Sequence, residues 1–255
     1  MRRLFQIKRL SVDEPDVRGY PALSTHLLFL PPFCVSGKRY MSTMKADPRH
    51  LNSTFNDSSV GSFKDAYAGA LQRAVSQISS QDIENLCAAI VTATDNGQQI
   101  FTIGNGGSAA IAEHLCCDWT KGTRSEGYPV ISSRSLTANN ALYSAIANDY
   151  GYEFVFSTQL EFFAREGDLL IAISSSGNSS NIVNAALRAK ALGLFLVGFT
   201  GFSGGKLKDL ADVAIHVPVS NYGIVEDAHQ AVVHIVAQYI ARRRDSASGS
   251  TQRVL

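Results

Sequence analysis

Two stretches of small and polar residues carry the strongest chemical signal in this chain. Gly104-Asn105-Gly106-Gly107-Ser108 follows the apolar run Gln99-Ile100-Phe101-Thr102-Ile103 and opens a helical stretch. Further on, Ser174-Ser175-Ser176-Gly177-Asn178-Ser179 repeats that arrangement after Asp168-Leu169-Leu170-Ile171-Ala172-Ile173. Small residues let the backbone curl tightly and leave N–H groups free at a helix N-terminus, where the partial positive charge favours an anion. Ser and Asn add short hydrogen-bonding arms. Neither loop is a Walker A motif, because no Lys-Ser/Thr pair closes it, and neither is the GxGxxG of dinucleotide folds. One such loop is readily an ordinary turn between a strand and a helix. Two matched loops predict a phosphorylated, hydroxyl-rich ligand.

The elements that must hold these loops are legible in the hydrophobic periodicity. Phe63, Tyr67, Ala70, Leu71, Ala74 and Ile78 recur at helical spacing, as do Ile83, Leu86, Cys87, Ile90 and Val91, predicting two leading helices. Ser80 is placed to cap the second, Asp82 and Glu84 occupy its first turn, and Asn96-Gly97 ends it. A strand over 99–103, a helix over 107–120, a short strand near 129–136 and helices over 139–147 and 153–164 follow. The second strand-loop-helix unit has its helix over 178–192, stopped by Gly193. A buried strand over 194–199, a short helix over 206–210, a strand over 213–217 and a final helix over 224–243 complete the series. Apolar strands separated by helices predict an α/β domain, a doubly wound parallel sheet covered on both faces. In such sheets ligands sit at the carboxyl ends of the strands, where both serine-bearing loops fall.

Composition narrows the partners. The 255 residues are 45% hydrophobic, with 23 Lys+Arg against 22 Asp+Glu and a formal charge of +1. That balance gives no overall basic excess for a nucleic-acid or membrane-surface partner. No run of about eighteen apolar residues is present, so no membrane span is expected. Cys34, Cys87, Cys116 and Cys117 lack CxxC spacing, which fits buried thiols in a reduced, cytoplasmic protein. Residues 1–60 read as a disordered extension, with Met41 and Met44 as alternative starts. Residues 61–245 form the domain and 246–255 a flexible tail.

GNGGS at 104–108, Asn148-Asp149-Tyr150-Gly151-Tyr152, SSSGNS at 174–179, and Glu226-Asp227-Ala228-His229 followed by His234 together resemble the sugar isomerase (SIS) domain. They are most similar to the phosphoheptose isomerases, which interconvert sedoheptulose 7-phosphate and D-glycero-D-manno-heptose 7-phosphate. The resemblance covers roughly 60–243 and implies a flavodoxin-like sheet, a homotetramer and, in many members, one zinc ion. It further implies that Asn105, Gly106, Gly107, Ser108, Asn148 and Asp149 hold the sugar, and that Ser174, Ser175, Ser176 and Ser179 hold the phosphate. The family's metal site draws a His and a Glu from the helix after the first loop, and a Gln and a His from the last helix. Here those places hold His114, Asp118, Glu226 and His234, so two of the four depart from the pattern.

His114 and Asp118 stand four apart and share a helix face, which suits metal binding and equally an ion pair. Two imidazoles and two carboxylates are acceptable zinc chemistry, but they neutralise Zn²⁺, and a less positive ion polarises a sugar carbonyl less strongly. Aldose-ketose isomerisation through a cis-enediol needs a base, an acid and something to stabilise the developing oxyanion. Asp118 or Glu226 is the expected base, with His234 moving the proton on oxygen. His216 reads as a packed residue in an apolar strand, and His229 is undecided. The competing expectation is a SIS-fold protein that binds a sugar phosphate as a regulator or scaffold without turnover. Another SIS isomerase substrate is the third.

Overall fold

A computed structural model describes residues 59–248; of the extension expected over 1–60, residues 1–58 lie outside them, as do residues 249–255. Helices α1 (Val60–Ser76) and α2 (Ser80–Asp95) lead into the sheet. Ser79, not Ser80, caps α2: its hydroxyl accepts from the Asp82 N–H at 3.2 Å, because the cap residue must itself be extended and Ser80 is already helical.

Five strands follow, β1 (Ile100–Gly104), β2 (Ser133–Ser135), β3 (Leu169–Ser174), β4 (Phe195–Gly201) and β5 (Val213–Val217). They pair in the order β2-β1-β3-β4-β5, all parallel. Between and after them run α3 (Gly107–Cys117), α4 (Asn140–Asp149), α5 (Ser157–Phe163), α6 (Ser180–Ala191), α7 (Gly205–Leu210) and α8 (Tyr222–Ser248). Successive strand residues alternate between two buried layers. Ile171, Ile173, Val197 and Phe199 pack with α1, α2, α3 and α8, while Leu170, Ala172 and Leu196 pack with α4 to α7. Both faces are covered, which is why the strands read as continuous apolar runs.

Helix α3 leaves β1 toward one face and α6 leaves adjacent β3 toward the other. That divergence opens a crevice beyond the carboxyl ends of β1 and β3, the switch point where doubly wound sheets bind ligands. Two differences from the sequence expectation bear on it. The helix expected through 120 ends at Cys117 and widens into a π turn over Asp118–Gly122. Trp119, fully buried, donates its indole N–H to the Val233 carbonyl at 3.2 Å, while Asp118 keeps helical backbone and its i, i+4 relation to His114. The last helix is also longer at both ends than 224–243, and α8 runs past residue 245 to Ser248.

Candidate functional site

The second loop is anchored from beneath and open above. Ser174 closes β3, and its hydroxyl accepts from the Gly177 N–H at 3.2 Å. Gly177 has φ +63°, and a Cβ there would run into the Gly204 carbonyl oxygen, so only glycine makes this turn against α7. Asn178 Oδ1 accepts from the Lys206 N–H at 3.1 Å, fixing the far side. Two hydroxyls of the loop remain unpaired. Ser179 caps α6 without a side-chain hydrogen bond, and the buried Ser175 hydroxyl, 4% exposed, has no partner. A buried hydroxyl left unpaired is costly until a polar partner reaches it.

The first loop is built differently. Asn105 forms a reciprocal amide pair with Asn181 of α6: Asn105 Nδ2 donates at 2.9 Å and Asn181 Nδ2 donates back to Asn105 Oδ1 at 2.8 Å. The Tyr152 hydroxyl donates to the same Asn105 oxygen at 3.0 Å. Gly107 begins α3, and the Glu226 carboxylate occupies the space of its missing side chain; a Cβ there would lie 2.7 Å from Glu226 Cδ and 2.8 Å from Oε1. The protein's own carboxylate thus occupies the space beside the first residue of α3. Burial, reinforced by the neighbouring Asp227 carboxylate, raises the Glu226 carboxyl above its ordinary pKa.

Together the loops rim a cavity of about 400 Å³ lined by Asn105, Gly106, Gly107, Ser108, Ser174, Ser175, Ser176, Ser179, Tyr222 and Glu226. That volume lies in the range of small-molecule sites.

A second group of side chains sits farther along α3 and α8. His114 Nε2 and His234 Nε2 are 2.9 Å apart, and Asp118 Oδ2 is 3.1 Å from the first and 3.4 Å from the second. The Gln230 amide, one helical turn before His234, stands 3.0 Å from the same His234 nitrogen. An imidazole nitrogen carries one lone pair or one proton in the ring plane, so a hydrogen bond satisfies at most one of three polar neighbours. A cation at their centre satisfies all of them. Donor atoms ~2.0–2.1 Å from a tetrahedral zinc stand roughly 3.3 Å from one another, close to the spacings here. The residues therefore fit a divalent metal. The three side chains are 47%, 45% and 27% exposed for His114, His234 and Asp118.

Of the residues singled out from sequence, the structure brings nine to the cavity and three to the cluster. Glu226 joins the cavity and not the cluster. Asn148 and Asp149 join neither: they end α4 exposed, with Asn148 Nδ2 donating to Asp149 Oδ1 at 2.8 Å. Gln230, Asn181, Tyr152 and Tyr222 were not anticipated. Gln230 had a readable signal, the four-residue spacing to His234 on an expected helix; the Asn105–Asn181 pair, between residues far apart in sequence, had none.

His216 accepts or donates at Nδ1 with the Thr200 hydroxyl at 3.0 Å, as a packed strand residue should. His229 is fully buried, its Nε2 donating to the Thr200 carbonyl at 3.2 Å. Of the described cysteines, Cys87 is buried, Cys116 half-buried and Cys117 exposed, so the expectation of buried thiols fails at Cys117, which the helix turns to solvent.

Residues 63–201 match the SIS domain family. A probable phosphoheptose isomerase from Thermoplasma acidophilum is 37% identical over 168 residues, 66% of this chain and 92% of that relative. The phosphoheptose isomerase of Akkermansia muciniphila is 39% identical over 161 residues, covering 63% and 85%. The solved structure of a phosphoheptose isomerase from Neisseria gonorrhoeae superposes with a TM-score of 0.66 at 29% identity, covering 72% of this chain and 97% of that one.

Proposed function

Because the chain belongs to the phosphoheptose isomerases of the SIS-domain family, we propose that it interconverts sedoheptulose 7-phosphate and D-glycero-D-manno-heptose 7-phosphate through an enediol. The observation that carries this reading is the pairing of an open, serine-lined helix N-terminus with a carboxylate in one cavity, two helical turns from a His/His/Asp cluster.

The phosphate belongs in the Ser174–Ser179 loop. Both loops precede a helix N-terminus, but beside the start of α3 the space is taken by the Glu226 carboxylate, while the Ser179 hydroxyl at α6 makes no capping bond and the Ser175 hydroxyl has no partner. Anchoring the phosphate there restricts the reacting end to one approach, an orientation effect worth several kcal/mol. Asn105, Gly106, Gly107 and Ser108 meet the sugar hydroxyls along the opposite rim. The substrate chain then runs past Glu226 toward the cluster.

Glu226 is the base. It takes the proton from C1 of the ketose and returns it to C2 on the same face, and its raised pKa suits a group that must both accept and release a proton. Asp118 is the poorer candidate because one of its oxygens already faces both imidazoles. His234 keeps its expected role of moving the proton between the two substrate oxygens. A divalent metal, zinc in this reading, held by His114, Asp118 and His234, supplies a Lewis acid for the carbonyl oxygen. Asn148 and Asp149, exposed and away from the cavity, reach a substrate from a neighbouring subunit of a homotetramer. We place that enzyme in the cytoplasm.

The test is exchange of solvent deuterium into sedoheptulose 7-phosphate, with and without chelator. Glu226→Gln should slow exchange by about 10²–10⁴-fold. Exchange at the unmodified rate in that variant removes Glu226 as the base, and no exchange in the unmodified protein across five- to seven-carbon ketose phosphates favours a non-catalytic binding role.

A further inference from the structure

We propose that Gln230, and not Glu226, is the fourth protein donor to the divalent ion at His114, Asp118 and His234. The inference rests on the metal-dependent reading above and changes what the metal can do. Gln230 precedes His234 by one turn of α8, so both side chains project from one face of the helix. Its carboxamide is already 3.0 Å from His234 Nε2, and a half-turn of the terminal bond presents the amide oxygen to the cluster.

Glu226 lies eight residues before His234, about 12 Å along the helix axis. Its carboxylate fills the gap left by Gly107 at the start of α3, with Oε1 only 2.8 Å from where a Cβ would be. One carboxylate cannot sit there and in the cluster at once. In the folded chain the Glu226 carboxylate therefore lies beside the start of α3, and Gln230 is the amide that faces the cluster.

The exchange of donors alters the charge. Two imidazoles, one carboxylate and one neutral amide leave a divalent ion with a net charge of +1, whereas a second carboxylate brings it to zero. A more positive centre polarises a carbonyl more strongly. The weaker metal expected from the sequence is thereby replaced by a stronger one, and Glu226 keeps its lone pairs for the substrate.

Zinc affinity of the full chain, measured by competition with a chromophoric chelator, tests the assignment without reference to turnover. Gln230→Leu should bind zinc about 10–100-fold more weakly, while Gln230→Glu, which keeps a donor oxygen, should retain or tighten binding. Glu226→Gln should bind zinc as the unmodified protein does. Thermal unfolding of each metal-free variant shows whether the fold is intact, and should the leucine variant not fold, the other two variants still decide. The proposal is overturned if a folded Gln230→Leu binds zinc as the unmodified protein does, if Glu226→Gln loses tenfold or more, or if the unmodified protein takes up no stoichiometric zinc. Gln230-dependent zinc binding in a protein that exchanges no deuterium into ketose phosphates leaves this assignment standing and removes the isomerase reading alone.

Discussion

Glu226 is held at one point by the absence of a single methyl group. The backbone at Gly107 is ordinary helix, so alanine is sterically allowed there by its own conformation, and the only obstacle is the Glu226 carboxylate. Gly107→Ala should therefore fold with nearly unchanged stability, because the far end of a flexible side chain swings away at little cost. Displacing the base by about an ångström should lower kcat by on the order of 10²-fold. Steady-state kinetics beside thermal unfolding separate the two effects. The pH dependence follows from the same residue. A base must be deprotonated to work, and burial raises the Glu226 pKa, so kcat/KM should rise with pH through a limb above the ordinary carboxylate range. That limb should vanish in Glu226→Gln, and a pH profile flat across the acid range in the unmodified enzyme would rule the assignment out.

Helix α8 is the element on which the site turns. It carries Tyr222 and Glu226 at the cavity and Gln230 and His234 at the cluster, and His229 locks its register to β4 through the Thr200 carbonyl. Thr200 is followed by Gly201, whose N–H donates to the Ser175 carbonyl at 2.8 Å, so the lock on α8 also bears on the phosphate loop. Burial lowers the His229 pKa from 6.5 to about 4. Between those values the unfolded chain binds a proton that the folded protein refuses. Stability is thus undiminished above pH 6.5, falls as pH drops toward 4, and loses no more to this group below that. The full window is worth about 3 kcal/mol. His229→Gln, which keeps a donor for Thr200, should unfold in urea with a smaller stability difference between pH 7 and pH 4.5 than the unmodified protein; equal differences would show that His229 does not titrate there. The π turn after α3 plays a comparable part on the other helix. It buries Trp119 against α8 while Asp118, one residue before, faces the histidines.

At the scale of the molecule, the cluster joins two helices that both descend from the rim of the cavity. A metal that binds the folded chain and not the unfolded one adds stability by mass action. Chelation should lower the melting temperature, and zinc at 100 times its Kd should restore about 2.7 kcal/mol. The His114→Ala and His234→Ala proteins should show no such response; an unmodified protein whose melting is indifferent to chelator and zinc would speak against a metal at this place. Among the described residues no helix is long and apolar enough to cross a membrane. If Asn148 and Asp149 act from a neighbouring subunit, sedimentation should find a tetramer, and Asp149→Asn should raise KM without disturbing the cavity of its own subunit.

The doubly wound sheet, the two leading helices and the two cradles were legible in the chain because apolar strands and glycine-rich turns are local signals. Ile100–Gly104 and Leu169–Ser174 needed no partner to be recognised, and Gly97 and Gly193 ended their helices as their types require. Three residues of the final helix, Glu226, His229 and His234, were equally visible as a set. Their division of labour was not. Which of them meets α3 near its start and which meets it two turns later depends on how α8 packs across the sheet, and Gly107 decides it by leaving room for one carboxylate. Sequence spacing fixes neighbours along one helix, where the geometry repeats every turn. The assignment of each side chain to cavity or cluster is a property of two helices packed side by side, and it exists only once the core between them has formed.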